Sequence, residues 1–277
     1  MNLPQTLKHI QNSLLPIAGK FALPESERIL EFLLGASRSD LYLERHEELS
    51  PEILKEIGSI ISRRLLTDEP LAYILGCTYF FDREITVTPE VLIPRLDTET
   101  LIETVLLNEP LHHLRFLDFG TGSGCISAVL TGSHRRWKGI AVDASMPALR
   151  IARKNCGSEV DLICCSFFSA IKPNSFDFIV SNPPYIPSET VPTLDRSVRD
   201  FEPIAALDGG ADGLDFYRFL ANSGKALLSM GGRIYCEISC DQGEAVKKIM
   251  VANGWNNIIV INDLGGRPRV IHGIFKP

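Results

Sequence analysis

The chain lacks any apolar run near the roughly 18 residues needed to cross a bilayer as a helix, and its start, Met1-Asn2-Leu3-Pro4 followed by Lys8, His9, Gln11, Asn12 and Ser13, holds no signal-peptide core. A cytoplasmic protein that does not engage membranes is therefore expected. It also lacks an excess of positive charge: the formal net charge is -6 across 277 residues, so the overall field offers nothing to draw in a nucleic-acid backbone. Arg63-Arg64 and Arg135-Arg136 are at most local patches, and such pairs usually lie on solvated faces. Cysteines are few and unpatterned, at 77, 125, 156, 164, 165, 236 and 240, an odd count without a CxxC. This excludes a disulfide framework and a zinc site and leaves reduced, mostly buried thiols; no metal is expected. Low-complexity tracts and internal repeats are absent.

What is present divides in three: a helical domain over 1–75, a β-hairpin linker over 76–94 and an α/β domain over 95–277. In the first, Leu3, Leu7, Ile10 and Leu14 recur at spacings of three and four, and a helix from about Pro24 ends near Gly35. Ser50-Pro51-Glu52 offers a cap and an N-terminal proline to a helix whose stripe is Ile53, Leu54, Ile57, Ile60, Ile61 and Leu65. These stripes are the core of a small bundle, and any further role of the domain is partner recognition. Tyr79-Phe80-Phe81, a turn near Asp82-Arg83, then Ile85 and Val87 predict the hairpin. Asp97 or Thr98 is placed to cap the next helix, leaving Arg95 just outside it, either as a salt-bridging residue or as a substrate contact.

From residue 115 onward, short apolar runs at 115–119, 139–142, 160–164, 176–180 and 232–238 alternate with helical patterns. Continuous apolar character suits strands covered on both faces, so the fold class is α/β with a doubly wound, mostly parallel sheet. The tail, Ile258–Ile261 and Val270–Phe275 around Asp263-Leu264-Gly265-Gly266, adds two strands as an antiparallel edge.

The first of these strands runs into Gly120-Thr121-Gly122-Ser123-Gly124. Glycines between a strand and a helix let backbone approach a ligand and aim helix amides at it. The dinucleotide spacing G-x-G-x-x-G fails, because the third glycine is Gly124, and a Walker loop fails because no Gly-Lys-Ser/Thr follows. Asp143, just past the second strand, is placed to accept ribose hydroxyls unless its only role is to cap the helix near Met146-Pro147, and Asp118 is placed to orient the loop or face a cationic group. Loop and acid together favour S-adenosylmethionine, which carries a sulfonium and a carboxylate but no pyrophosphate.

The fourth strand ends at Asn182-Pro183-Pro184-Tyr185. Two prolines fix two φ angles and remove two donors, so neighbouring carbonyls are held stiffly outward. The Asn182 side-chain oxygen and the Pro183 carbonyl can accept from an NH2 group while Tyr185 stacks on a flat substrate; such a site holds an amide or an exocyclic base amine equally well. A rigid surface turn or a polyproline-type ligand is the plainer reading, and its place directly after a buried strand speaks against that.

Together with Ile93-Pro-Arg-Leu-Asp-Thr-Glu99, Phe201-Glu-Pro203, Ala206-Leu-Asp-Gly-Gly210, Asp212-Gly-Leu214 and Arg269-Val270, these motifs resemble the bacterial and organellar methyltransferases that modify a glutamine side-chain nitrogen (N5) in peptide chain release factors. The resemblance implies methyl transfer from S-adenosylmethionine, leaving S-adenosylhomocysteine, to the Gly-Gly-Gln loop of class 1 release factors. It also implies Gly120 to Gly124 around the methionine moiety, Asp143 on the ribose, Phe167 near the adenine, Asn182 on cofactor and substrate, and Pro183, Pro184 and Tyr185 completing the glutamine pocket. Nothing demands more than a monomer. Leu96, Ser166 and Ser239 depart from the family's usual proline, aspartate and glycine. An adenine or guanine N-methyltransferase acting on DNA or RNA is the alternative, and a noncatalytic binding module the third class; a basic groove would mark the former and a damaged glycine loop or Asn182 the latter.

Overall fold

The computed structural model describes residues 1–43, 48–109, 112–166 and 171–276. Its helices are α1 (Leu3–Ala18), α2 (Ala22–Leu34), α3 (Pro51–Thr67), α4 (Leu71–Leu75), α5 (Asp97–Asn108), α6 (Cys125–Ser133), α7 (Met146–Cys156), α8 (Arg196–Arg199), α9 (Asp215–Ser223) and α10 (Gly243–Ala252). The strands are β1 (Cys77–Phe80), β2 (Arg83–Thr86), β3 (Arg115–Phe119), β4 (Lys138–Asp143), β5 (Val160–Cys164), β6 (Phe176–Ser181), β7 (Leu228–Glu237), β8 (Trp255–Asn262) and β9 (Pro268–Phe275). Two compact units divide the chain: Met1–Gly76 with Asp195–Phe201, and Cys77–Leu194 with Glu202–Pro277.

The first unit is helical. Asn2 and Gln5 cap α1 reciprocally, each side chain accepting from the other's backbone N–H. Ser50 accepts from the Ile53 N–H at the start of α3, and Gly35 ends α2 in the left-handed region. Ile57, Ile60 and Ile61 of α3 are buried, whereas Leu65 lies at the exposed end of the stripe. Arg63 and Arg64 are spent inside this unit, on Glu69 and, through a half-hidden two-point contact at 3.1 Å, on Glu25.

The second unit is built on a seven-stranded sheet in the order β5-β4-β3-β6-β7-β9-β8. The first five strands in that order are parallel, and β9 runs antiparallel to both β7 and β8. β3 and β6 are buried on both faces because helices cover both; Phe116 and Phe178 stack at 5.4 Å in their shared core, and the Trp137 ring meets Phe178 edge-on. Strand β7 starts at Leu228, four residues before the apolar run that announces it, because Ser229-Met230-Gly231-Gly232 bulges out of the ladder between Leu228, paired with Phe176, and Arg233, paired with Phe178. At the other end β8 shifts register between Asn256 and Ile259, with Asn257 at φ 48°.

The turn of the β1–β2 hairpin is Phe81-Asp82, not Asp82-Arg83: both residues have positive φ, 51° and 57°, and Arg83 is already paired with Phe80. Such two-residue turns match the strands' twist. The hairpin is fastened by Asn155 of α7, whose amide bonds both the N–H and the carbonyl of Thr86, and by Glu99, which accepts from the Phe81 N–H.

Candidate active site

Three adjacent parallel strands, β4, β3 and β6, end side by side, and the residues singled out from the sequence gather at that end. After β3 the chain turns sharply, the N–H groups of Gly120 and Thr121 both donating to the Val142 carbonyl of β4. Gly120, Gly122 and Gly124 all have φ between 54° and 78°. A Cβ at Gly120 or Gly122 would meet nothing within 4 Å, so the loop's outer face is open, whereas one at Gly124 would strike Cys156 Sγ at 2.8 Å and Ala152 at 3.0 Å. The loop is thus pressed against α7 on one side and bare on the other. Thr121 and Ser123 are buried beneath it.

Asp118, the last acid of β3, is fully buried; its Oδ2 accepts from the hydroxyls of Thr121 and Ser127, both at 2.7 Å, while Oδ1 has no hydrogen-bond partner. Burial pushes its carboxyl up to about 6, against the pull of those two hydroxyls. The sign follows. Below about 4 the acid is protonated in both folded and unfolded chains; between there and about 6 the unfolded chain gives up a proton the folded one keeps. The contribution to stability is therefore full at low pH and is lost as pH rises through about 6. Asp118→Asn is expected to flatten this part of the profile, read as a smaller fall in unfolding midpoint between pH 4.5 and 7 than in the parent.

Asp143 at the end of β4 accepts from the Gly122 N–H at 2.9 Å through Oδ2 and from the Ser145 N–H at 2.8 Å through Oδ1. The cap of α7 is Ser145, whose hydroxyl accepts from the Ala148 N–H. Asp143 therefore ties the glycine loop to the second strand, with further lone pairs on each oxygen. Phe167 lies outside the described residues.

Asn182-Pro-Pro-Tyr185 leaves β6 directly beside the glycine loop, the Ser181 hydroxyl donating to the Phe119 carbonyl at 2.7 Å. Asn182 Nδ2 donates to Thr98 Oγ1 at 3.0 Å, and the Tyr185 hydroxyl donates to Glu237 Oε1 at 3.3 Å. Pro183 is buried, Pro184 partly so. The following backbone is clamped: Gln242 Nε2 donates to the Tyr185 carbonyl at 2.9 Å, Ile186 exchanges backbone hydrogen bonds with Leu207 and Gly209, and a Cβ on Gly209 would lie 2.8 Å from the Pro184 carbonyl. This assigns a physical use to Ala206-Leu-Asp-Gly-Gly210 and Asp212-Gly-Leu214, which pack under the turn.

One expectation needs correcting. Neither Asp97 nor Thr98 caps α5: the first amides of that helix are satisfied by the Arg95 and Leu96 carbonyls, Asp97 pairs with Arg269 at 3.0 Å, and the buried Thr98 hydroxyl faces Asn182. Arg95, beside that start, meets both oxygens of the buried Glu202 at 2.7 Å through Nη2. Of the departures from the family pattern, Ser239 is not in the left-handed region, so its turn does not require glycine, and its N–H is satisfied by Gln242 Oε1 at 3.2 Å.

The residue that sequence reasoning passed over is Glu237. It ends β7 at the same sheet edge, is fully buried, and accepts from the Tyr185 hydroxyl. Burial pushes its carboxyl up to about 7, opposed by the Thr98 hydroxyl, the Arg269 guanidinium and the Tyr185 hydroxyl. An acid closing a parallel strand at the ligand-facing edge was the available signal.

Comparison with known proteins identifies the family of the chain. Residues 5–76 match the family model of the PrmC N-terminal domain and residues 94–194 that of the methyltransferase small domain. A release factor glutamine methyltransferase of Geobacter sulfurreducens is 39% identical over 252 residues, covering 90% of this chain and 88% of that protein. One from Caulobacter vibrioides is 35% identical over 260 residues, covering 91% and 89%. In fold, the chain resembles the crystal structure of a methyltransferase from Pyrococcus furiosus, with a TM-score of 0.54 at 18% identity, over 78% of this chain and 98% of that one. With that identity sustained across nearly the whole length, the chain belongs to the release factor glutamine methyltransferase family.

Proposed function

We propose that this protein methylates the side-chain amide nitrogen (N5) of the glutamine in the Gly-Gly-Gln motif of class 1 release factors, drawing the methyl group from S-adenosylmethionine. The observation that carries the reading is the placement of Asn182 and the Pro183 carbonyl at the end of β6, next to the open glycine loop of β3, in a chain of this family.

The residues present fit the cofactor. The bare face at Gly120 and Gly122 admits close backbone contact, the unpartnered Oδ1 of Asp118 offers a negative atom to the ammonium, and Asp143 retains acceptor capacity for two hydroxyls. Bound there, S-adenosylmethionine supplies an electrophilic methyl carbon on a sulfonium. Thr121 and Ser123 line the same loop, and Phe167 is assigned to the adenine side.

An amide nitrogen is a poor nucleophile because its lone pair is delocalised into the carbonyl, so the work left to the protein is placement. The Asn182 oxygen and the Pro183 carbonyl each accept one N–H of the glutamine, which turns the nitrogen's remaining face toward the methyl. Pro184 and Tyr185 close the pocket and restrict the amide plane. Arg95, fixed on Glu202 with part of its guanidinium still at the surface, is assigned to the backbone of the incoming loop. The helical unit over residues 1–76 is assigned to holding the release factor.

Mass spectrometry of a purified release factor after incubation with enzyme and cofactor is expected to find one methyl on the Gly-Gly-Gln glutamine. Transfer of label to DNA or RNA, with none in the factor, would overturn the assignment in favour of base methylation.

A further inference from the structure

Asn182 can serve as an acceptor only if its amide stands one way round, and a side-chain amide has two nearly isosteric orientations. The buried hydrogen bonds beneath it choose between them. Thr98 Oγ1 accepts from Asn182 Nδ2 at 3.0 Å, so its single proton must point elsewhere. Glu237 Oε2 is buried with no hydrogen-bond partner, and the Thr98 hydroxyl is among the groups that favour the charged form of this carboxyl. The other oxygen, Oε1, is already taken by the Tyr185 hydroxyl. Above pH about 7, where Glu237 is ionised, its carboxylate accepts and never donates.

From this we infer that Glu237 and Thr98 are positioning residues forming a relay of hydrogen-bond polarity: the carboxylate draws the Thr98 proton, the Thr98 lone pair then demands the nitrogen of Asn182, and the Asn182 oxygen is left facing the substrate amide. The inference rests on the proposed glutamine chemistry for its consequence, since an amide turned over would offer the substrate a donor where an acceptor is needed. It also explains why one acid is shared by Tyr185 and Asn182. Both ends of the tetrapeptide take their orientation from a single group set deep in the next strand, with the Arg269 guanidinium, paired with Asp97, favouring its charged form.

The relay makes demands that packing does not. Thr98→Val keeps the volume and the β-branch but can neither donate nor accept, while Thr98→Ser keeps the hydroxyl and loses a methyl. Turnover of release-factor glutamine is expected to fall on the order of a hundredfold in Thr98→Val, in kcat rather than KM, and to return most of the way in Thr98→Ser. Equal losses in the two variants, or parental turnover in Thr98→Val, would show that packing alone matters and end the proposal.

A second measurement does not depend on which acceptor the enzyme methylates. In the labelled parent protein, the side-chain amide protons of Asn182, assigned by their loss in Asn182→Ala, should show a nuclear Overhauser contact to the Thr98 methyl. Glu237→Met removes the acceptor with a side chain of similar length, and the contact should weaken as the amide turns. An undiminished contact in that variant overturns the relay even where the parent methylates the factor. A parent that shows the contact, and loses it in Glu237→Met, keeps the relay even if its methyl acceptor proves to be something other than a release factor.

Discussion

Asn182→Ala is expected to lower kcat for methyl transfer on the order of a hundredfold to a thousandfold, while cofactor affinity changes by no more than about threefold. The asymmetry follows from what the side chain touches. The glycine loop, Asp118 and Asp143 stand on β3 and β4 and keep their hydrogen bonds when Asn182 is cut back, so the cofactor's contacts survive. What goes is the acceptor that holds the substrate nitrogen. Because an amide gains little from a base and much from alignment, no neighbouring group replaces that loss. Single-turnover transfer and calorimetric titration of the cofactor, on the same preparation, separate the two effects. Undiminished turnover would remove Asn182 from the mechanism.

Gly124→Ala should be the most damaging small change to the cofactor side. At φ +78° any L residue is strained by about 1–2 kcal/mol, and the added carbon would press on Cys156 Sγ and the Ala152 backbone, for which overpacking typically adds about 1–3 kcal/mol. Gly120→Ala is the matched comparison: its φ is +70° but its Cβ would stand in open space, so only the strain applies. Urea denaturation should therefore show a larger loss for Gly124→Ala, about 2–5 kcal/mol against about 1–2 kcal/mol. Cofactor binding should suffer in both, through displacement of the loop in one and an obstructed face in the other. Equal stabilities would mean that α7 yields to the extra carbon.

The parts of the fold that were readable are those whose burial leaves a local trace. β3 and β6 are covered on both faces and so appear as largely apolar runs, whereas the edge strand β5, with Asp161 and Cys164 exposed, is legible only from Val160, Leu162 and Ile163. β7 is cut short in such a reading because Ser229 to Gly232 bulge out of the ladder and separate Leu228 from the paired run that begins at Arg233. The hairpin turn slipped by one residue because Phe81, an aromatic, occupies a left-handed position ordinarily left to glycine or asparagine. At the site, the glycine spacing and the paired prolines announce themselves within a few residues. Thr98 and Glu237 do not: one bonds Asn182 across 84 residues of chain, the other meets Tyr185 across 52. Each also had a plainer local use, a helix cap for Thr98 and a strand end for Glu237. Only the tertiary arrangement shows that a hydroxyl read as a cap is turned inward because backbone carbonyls already serve the helix start.

The irregularity in β8 bears on how this protein behaves among its neighbours in a crowded solution. An outermost strand offers unpaired amides and carbonyls to whatever chain drifts past, and a flat one invites a visitor to lie down alongside it. Here the slip between Asn256 and Ile259, with Asn257 bent into positive φ, breaks the rhythm of that invitation near its start. A passing strand would find matching partners for only a few residues before losing step, which disfavours stacking of one molecule's sheet on the next.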